Sequence, residues 1–228
     1  MNLSDFEQAI GVSFSNKDLL REAFTHRSYL NENPSEGSHN ERLEFLGDAV
    51  LELAVTRYLY EKFPDKPEGE LTSYRAALVN ANMLSGIAQD IEMNNYMLLS
   101  RGEAKDTGRA RQYILANAFE AFIGALYLDQ GYDAAAAFIE RYVLLRTDEV
   151  VSRKLFRDAK STFQEYAQER AGITPTYEAI KEWGPDHNKH FIVGVYLKDE
   201  LAAEGEGPSK QEAQQNAAEA ALKAKNWE

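Results

Sequence analysis

Residues 40–62 read NERLEFLGDAVLELAVTRYLYEK, and the organisation of the chain can be worked out from them. At about 100° per residue, Leu43, Leu46, Val50 and Leu53 gather on one side of a helix, while Glu41, Glu44 and Asp48 lie within about 60° of one another on the other. The stretch predicts an amphipathic helix with an acidic stripe. Glu52 extends the stripe as a solvated outer face would, and Glu41 could close a Ser38-x-x-Glu41 capping box. Like charges at i, i+3 and i+7 repel, however, so a counter-ion is favoured wherever water is partly excluded, and a hard divalent cation is a natural one. Gly47 costs a helix interior about 1 kcal/mol relative to Ala, which implies close approach of another backbone.

Outward from this helix, residues 16–146 carry apolar side chains at helical spacing, interrupted by Gly/Pro/Asn-rich turns at 31–38, 63–69 and 101–110. Further helices are predicted at 17–30, 71–95, 113–129 and 132–146, making residues 1–150 an all-α domain. From residue 156 to 226 the pattern changes to α-β-β-β-α. A helix at 158–169 precedes strand-like segments at 176–183, 190–197 and 201–205, and a last helix opens on a Ser209-x-x-Glu212 capping box. The expected fold is an all-α domain followed by a small α+β domain, its three-stranded antiparallel sheet packed on two helices.

With 44% apolar and 27% charged residues, the 228-residue chain has the composition of a folded protein of one or two domains. No run reaches the roughly 18 apolar residues of a membrane span, and residues 1–7 lack the pattern of a secretory leader. The absence of cysteine excludes disulfides, thiolate metal sites and a cysteine nucleophile. A reducing, cytoplasmic setting without membrane attachment is expected. The net charge of −12 argues against a chain that coats nucleic acid non-specifically, yet leaves room for a local basic groove.

Residues 113–128, YILANAFEAFIGALYL, have only Asn117 and Glu120 as polar side chains apart from the tyrosines. A helix apolar nearly all round is buried nearly all round, and a carboxylate there needs a partner. Arg42, Arg75 or Arg111 could supply one. If instead this helix packs on the acidic stripe, Glu44, Asp48, Asn117 and Glu120 form an oxygen-only cluster, suited to Mg²⁺ or Mn²⁺ and not to zinc. Such an ion suits phosphoryl chemistry. No P-loop, Gly-x-Gly-x-x-Gly or Gly-x-Ser-x-Gly element is present, so nucleotide-cofactor and serine-hydrolase chemistry lack support. Glu68, on a Pro/Gly turn, could equally favour the positive end of the helix that follows.

Asn40-Glu41-Arg42-Leu43-Glu44-Phe45-Leu46-Gly47-Asp48 resembles the signature of the ribonuclease III family over nine consecutive residues. Thr25-His26-Arg27-Ser28-Tyr29, Glu68-Gly69 with Arg75-Ala76, and Ile114-Leu115-Ala116-Asn117 with Glu120-Ala121 and Ile123-Gly124 fit in order. The αβββα unit resembles the double-stranded RNA-binding domain of bacterial members. The resemblance implies a Mg²⁺-dependent homodimeric endonuclease, with Mn²⁺ a substitute ion. It would cut both strands of duplex RNA to 5′-phosphate and 3′-hydroxyl ends with short 3′ overhangs, and would process structured rRNA and mRNA precursors. It implies that Glu44, Asp48 and Glu120 bind the metal, that loss of Asp48 or Glu120 stops hydrolysis, and that Glu41 and Glu68 lie in the same cleft. Phe45 matches an aromatic that inserts into the partner subunit.

Asn117 stands where many members have Asp; its carbonyl can still meet a hard cation but carries no charge. In the second domain the resemblance puts RNA contacts at Gln164, Glu165, His187, Lys189 and Lys210. Gln211 and Gln214 stand where basic residues are frequent, so a shallow salt dependence is expected. The alternative is a regulator that binds duplex RNA without cutting it, its metal site weakened at Asn117.

Overall fold

A computed structural model describes residues 2–156, 159–185 and 189–227. The chain divides into two units, parting after Phe156, and each is described by itself. The first unit is helical throughout: α1 (Leu3–Ile10), α2 (Lys17–Ala23), α3 (Arg27–Glu32), α4 (Glu41–Lys62), α5 (Glu68–Val79), α6 (Ala81–Asp90), α7 (Arg109–Gln130), α8 (Tyr132–Tyr142) and α9 (Thr147–Ser152). It runs past the boundary expected at 150, because Val150 is fully buried and the Phe156 ring meets Tyr74 edge-on at 4.5 Å between centroids.

Two predicted helices prove to be pairs. The helix expected at 17–30 breaks between α2 and α3, where the backbone turns aside to bond elsewhere. Leu98 N donates to Phe24 O at 2.8 Å, His26 N to Leu98 O at 3.0 Å, and Asn40 N to Thr25 O at 2.9 Å. The helix expected at 71–95 starts earlier and breaks at Asn80, which adopts an extended backbone and caps α6 by accepting from Met83 N at 2.9 Å. Asparagine favours such caps because its side chain competes locally for backbone donors. The capping box at Ser38 does not form. Asn40 is the N-cap of α4 without a side-chain cap bond, and its Nδ2 instead donates to the buried Ala23 carbonyl at 3.2 Å. Helix α1, capped by Asn2 and stopped by Gly11 at φ 71°, was not anticipated.

Helix α7 is the axis of this unit. Leu115, Ala116, Ala118, Phe119, Ala121, Phe122, Ile123 and Ala125 are buried on every side, as its near-absence of polar residues implied. The Phe122 ring meets Phe6, Phe14 and Phe138 at 5.7, 5.4 and 4.9 Å. Each such ring contributes roughly 1.5–3 kcal/mol by its burial. Helix α4 crosses α7 at glycines. A Cβ on Gly47 would collide with the Glu120 carbonyl and come within 2.8 Å of Gly124 N, and one on Gly124 would collide with the Leu43 carbonyl.

The second unit has the expected order: α10 (Ala159–Ala171), β1 (Thr176–Trp183), β2 (His190–Leu197), β3 (Glu200–Gly207) and α11 (Lys210–Lys225). The strands pair antiparallel in the order β1-β2-β3. Phe163 and Ala167 of α10, Val195 and Leu197 of β2, and Ala217, Ala218, Ala221 and Leu222 of α11 form the core. Ser209 caps α11, accepting from Glu212 N at 3.2 Å.

Gly47→Ala and Gly124→Ala should each destabilise the protein by about 3 kcal/mol or more in urea unfolding, because backbone rather than a yielding side chain is struck. Gly86→Ala, in a helix with nothing within 4 Å of the added carbon, should stabilise by up to about 1 kcal/mol. Equal effects at the three positions would contradict the close crossing.

Candidate active site

The glycine crossing decides where the acids meet. Glu44 and Asp48 flank Gly47 on α4, and Glu120 lies one turn before Gly124 on α7, so backbone contact carries the α4 stripe against the carboxylate in the buried middle of that helix. Glu120 is half-buried, and its pKa is pushed up to about 8, first by burial and then by Asp48 and Glu44. Burial likewise raises the pKa of Glu44, followed by the charges of Glu41 and Asp48. No cation offsets Glu120 among the described residues.

The arginines that could have paired with it are engaged elsewhere or stand apart. Arg75 Nη1 donates to Thr56 Oγ1 at 2.9 Å, and Arg111 donates from Nε to Asp106 O and from Nη2 to Glu103 O and Ala104 O. Arg42 is exposed on α4. The arrangement therefore lacks the positive charge that a buried carboxylate requires. As a donor set, three carboxylate side chains suit a hard divalent ion. Among the described residues no group of three histidine or acidic side chains is already arranged to hold one, as expected of like charges that repel.

The remaining sequence candidates separate. Asn117 is half-buried on α7, one turn before Glu120. Glu41 is half-exposed, with Arg27 Nη1 at 3.4 Å and His39 Nδ1 at 3.8 Å, and it joins the cluster electrostatically through Glu44. Glu68 does not join it within one chain. It opens α5, accepts from Thr72 Oγ1 at 2.9 Å, and lines a cavity of about 680 Å³ with Thr56, Leu59, Tyr60, Phe63 and Arg75. Thr56 alone lies two turns, about 12 Å, beyond Asp48 along α4. Phe45 is 82% exposed.

In the second unit, Gln164 and Glu165 are exposed on α10, and Lys210 begins α11 with its Nζ 5.7 Å from the Phe191 ring. Lys189 Nζ lies 4.0 Å from Glu182 Oε1, and His187 falls outside the described residues. Lys160 was missed. Its Nζ donates to Gln214 Oε1 at 2.8 Å and its backbone N to Gln215 Oε1, which sets a cation of α10 beside the first turns of α11. Its place one turn before Gln164 was the available signal.

Comparison with known proteins assigns a family to each of the two units. The Ribonuclease-III-like family model matches residues 16–147, and the double-stranded RNA binding motif matches residues 159–225. Ribonuclease 3 of Borreliella burgdorferi is 46% identical over 226 residues, spanning 97% of this chain and 91% of that protein. Ribonuclease 3 of Oceanobacillus iheyensis is 46% identical over 224 residues, spanning 97% of each. A solved structure of the nuclease domain of ribonuclease III from Campylobacter jejuni is similar at a TM-score of 0.57 and 39% identity. That match covers 62% of this chain and 96% of that one, and the structure is described by its flexibility in a region involved in dimer formation. Among the described residues no helix is long and apolar enough to cross a membrane.

The raised pKa of Glu120 has a definite sign. Below pH 4.5 Glu120 is protonated in both folded and unfolded chains; between 4.5 and about 8 the unfolded chain gives up this proton first, so stability falls as pH rises. In chelator, Glu120→Gln should match wild type near pH 4.5 and exceed it by on the order of 2 kcal/mol above pH 8, allowing for partial solvent screening. Urea unfolding at several pH values measures this, and a pH-independent difference would contradict it.

Proposed function

From the premise that the chain belongs to the ribonuclease III family and is an endoribonuclease, we propose that it hydrolyses both strands of duplex RNA with Mg²⁺, for which Mn²⁺ can substitute. The products are 5′-phosphate and 3′-hydroxyl ends with short 3′ overhangs. The observation that carries this reading is Glu120, a half-buried carboxylate held against Asp48 and Glu44 with no cation among the described residues to offset it. Glu44, Asp48 and Glu120 hold the ion, and Asn117 offers it a neutral carbonyl. Bound there, the divalent ion supplies electrostatic stabilisation of the charge that gathers on the phosphate during in-line displacement. Glu41, with Arg27 Nη1 at 3.4 Å, stands at the outer end of the stripe.

Two copies complete the site. An aromatic ring 82% exposed beside two carboxylates is an unusual surface residue, and the cavity bounded by Tyr60, Phe63, Leu71 and Glu68 is apolar enough to receive it. Phe45 of one copy seated in that cavity of another carries the second copy's Glu68 to the Glu41–Glu44 end of the stripe. This accounts for Glu68 lying apart within one chain. The second unit grips the duplex by shape, through Gln164 and Glu165 of α10, His187 and Lys189 of the β1–β2 loop, and Lys210 with the free amides of the α11 N-terminus. Structured rRNA and mRNA precursors in the cytoplasm are the natural substrates of such an enzyme, and the cysteine-free composition suits that compartment.

The test is incubation of a long RNA duplex with wild type, Asp48→Asn and Glu120→Gln, in Mg²⁺ or chelator. Wild type should cut only with the ion, and each variant should cut about a thousandfold more slowly or worse while still binding duplex. Binding without cleavage by wild type over a wide range of Mg²⁺ and Mn²⁺ would establish the non-cleaving regulator instead. Asn117→Asp should lower the Mg²⁺ concentration for half-maximal cleavage about fivefold, by adding a charged ligand. Phe45→Ala should shift sedimentation towards monomer at micromolar concentration, and an unchanged dimer would remove Phe45 from the interface.

A further inference from the structure

The sheet of the second unit covers its inner face with α10 and α11, and its outer face has an uneven chemistry. Cross-strand register sets the rows of that face. Glu178 and Glu204 stand opposite Gly194 from either side, Lys181 and Glu206 stand opposite Ile192, and Leu201 stands opposite Tyr196. An antiparallel sheet with one face in water places polar residues there. Here Ile180 is 46% exposed and Leu201 43% exposed, with Ile192 and Tyr196 half-buried beside them.

These side chains converge. A Cβ on Gly194 would come within 2.8 Å of Tyr196 and 2.9 Å of Ile180 and of Leu201, so three side chains from three strands close over the glycine as one apolar surface. The charge around it is mostly negative. Glu178 and Glu204 are exposed on the strands either side of Gly194, and neither has a cationic partner among the described residues. Glu206 has His190 Nδ1 at 3.7 Å, and Lys181 is the basic residue of these rows, its Nζ 5.4 Å from the Trp183 ring.

We propose that this outer face is a docking surface for a basic amphipathic segment of another protein. An apolar ridge would lie over Ile180, Tyr196 and Leu201, with lysines or arginines meeting Glu178 and Glu204. Charge complementarity selects this occupant. RNA is disfavoured because the two carboxylates would face phosphates, and a second copy because self-pairing would set Glu178 and Glu204 against their own equivalents. The opposite surface, with α10 and the start of α11, stays available to the duplex, so a protein partner and RNA can be held at once. The inference is independent of the cleavage chemistry.

The probe is an 18-residue helical peptide with a leucine stripe flanked by lysines, titrated onto the full chain at about 0.15 M salt. A peptide with glutamates in place of the lysines and one with scrambled leucines serve as controls. The lysine peptide alone should bind, and amide shifts should map to β1, β2 and β3. Glu178→Lys with Glu204→Lys, and separately Leu201→Ser, should each weaken it about tenfold or more while leaving duplex cleavage and the melting temperature unchanged. Unweakened binding to the charge-reversal variant would overturn the proposal, since the peptide would then sit elsewhere on an acidic protein. Competition by duplex RNA, or a change of oligomeric state on Leu201→Ser, would overturn it in favour of RNA or a second copy.

Discussion

The first unit depends on one backbone contact, the crossing of α4 and α7 at Gly47 and Gly124. With a side chain at either position the helices would have to separate, because each added carbon would strike a carbonyl of the opposite helix. Much follows from this closeness. It sets Leu43 and Val50 into the core around α7, and it brings two acidic residues of α4 beside Glu120 of α7. Packing and chemistry share one cause here: the residue that costs the helix stability also assembles the charges.

Those charges oppose the fold that gathers them. Burial raises the pKa of Glu120, and Asp48 and Glu44 raise it further, so the unit holds a repulsive arrangement that a well-packed helix pair would otherwise avoid. The aromatic cluster of Phe6, Phe14, Phe24, Phe122 and Phe138 offsets that cost from the other side of α7. Repulsion among a few carboxylates is thus tolerated because an apolar core supports the helices that carry them. The proposed docking of Phe45 into a second copy would extend the same logic across an interface, adding Glu68 to the acidic cluster.

The second unit repeats the use of small residues for a different end. A Cβ on Gly207 would come within 2.7 Å of Ala213 N, so α11 lies directly on the backbone of β3, with Ala213, Ala217, Ala218 and Ala221 buried beneath it. That helix covers the inner face together with α10 and leaves the outer face to its own chemistry. The first turn of α11, capped by Ser209, and the exposed side chains of α10 then form one surface, and the carboxylate-flanked apolar rows of the sheet form another.

Sequence periodicity by itself determined the fold class, the αβββα order, the apolar character of α7 and the acidic stripe of α4, because each is a local pattern repeated at the period of its own element. The nine-residue signature carried the family, and Gly47 announced a close approach without naming its partner. Tertiary structure decided what depends on residues far apart in the chain. Helices α2 and α3 separate because residues 24–26 bond to Leu98 and Asn40, and no spacing within 17–30 records that. Gly124 became the partner of Gly47, Glu120 was left without an arginine among the described residues, and Glu68 was set in a cavity beside Thr56, two turns beyond Asp48, each by the packing of α4 against α7 and α5. A sequence shows which face of a helix is charged; only the approach of a second backbone decides whether that charge meets water, a cation or another charge.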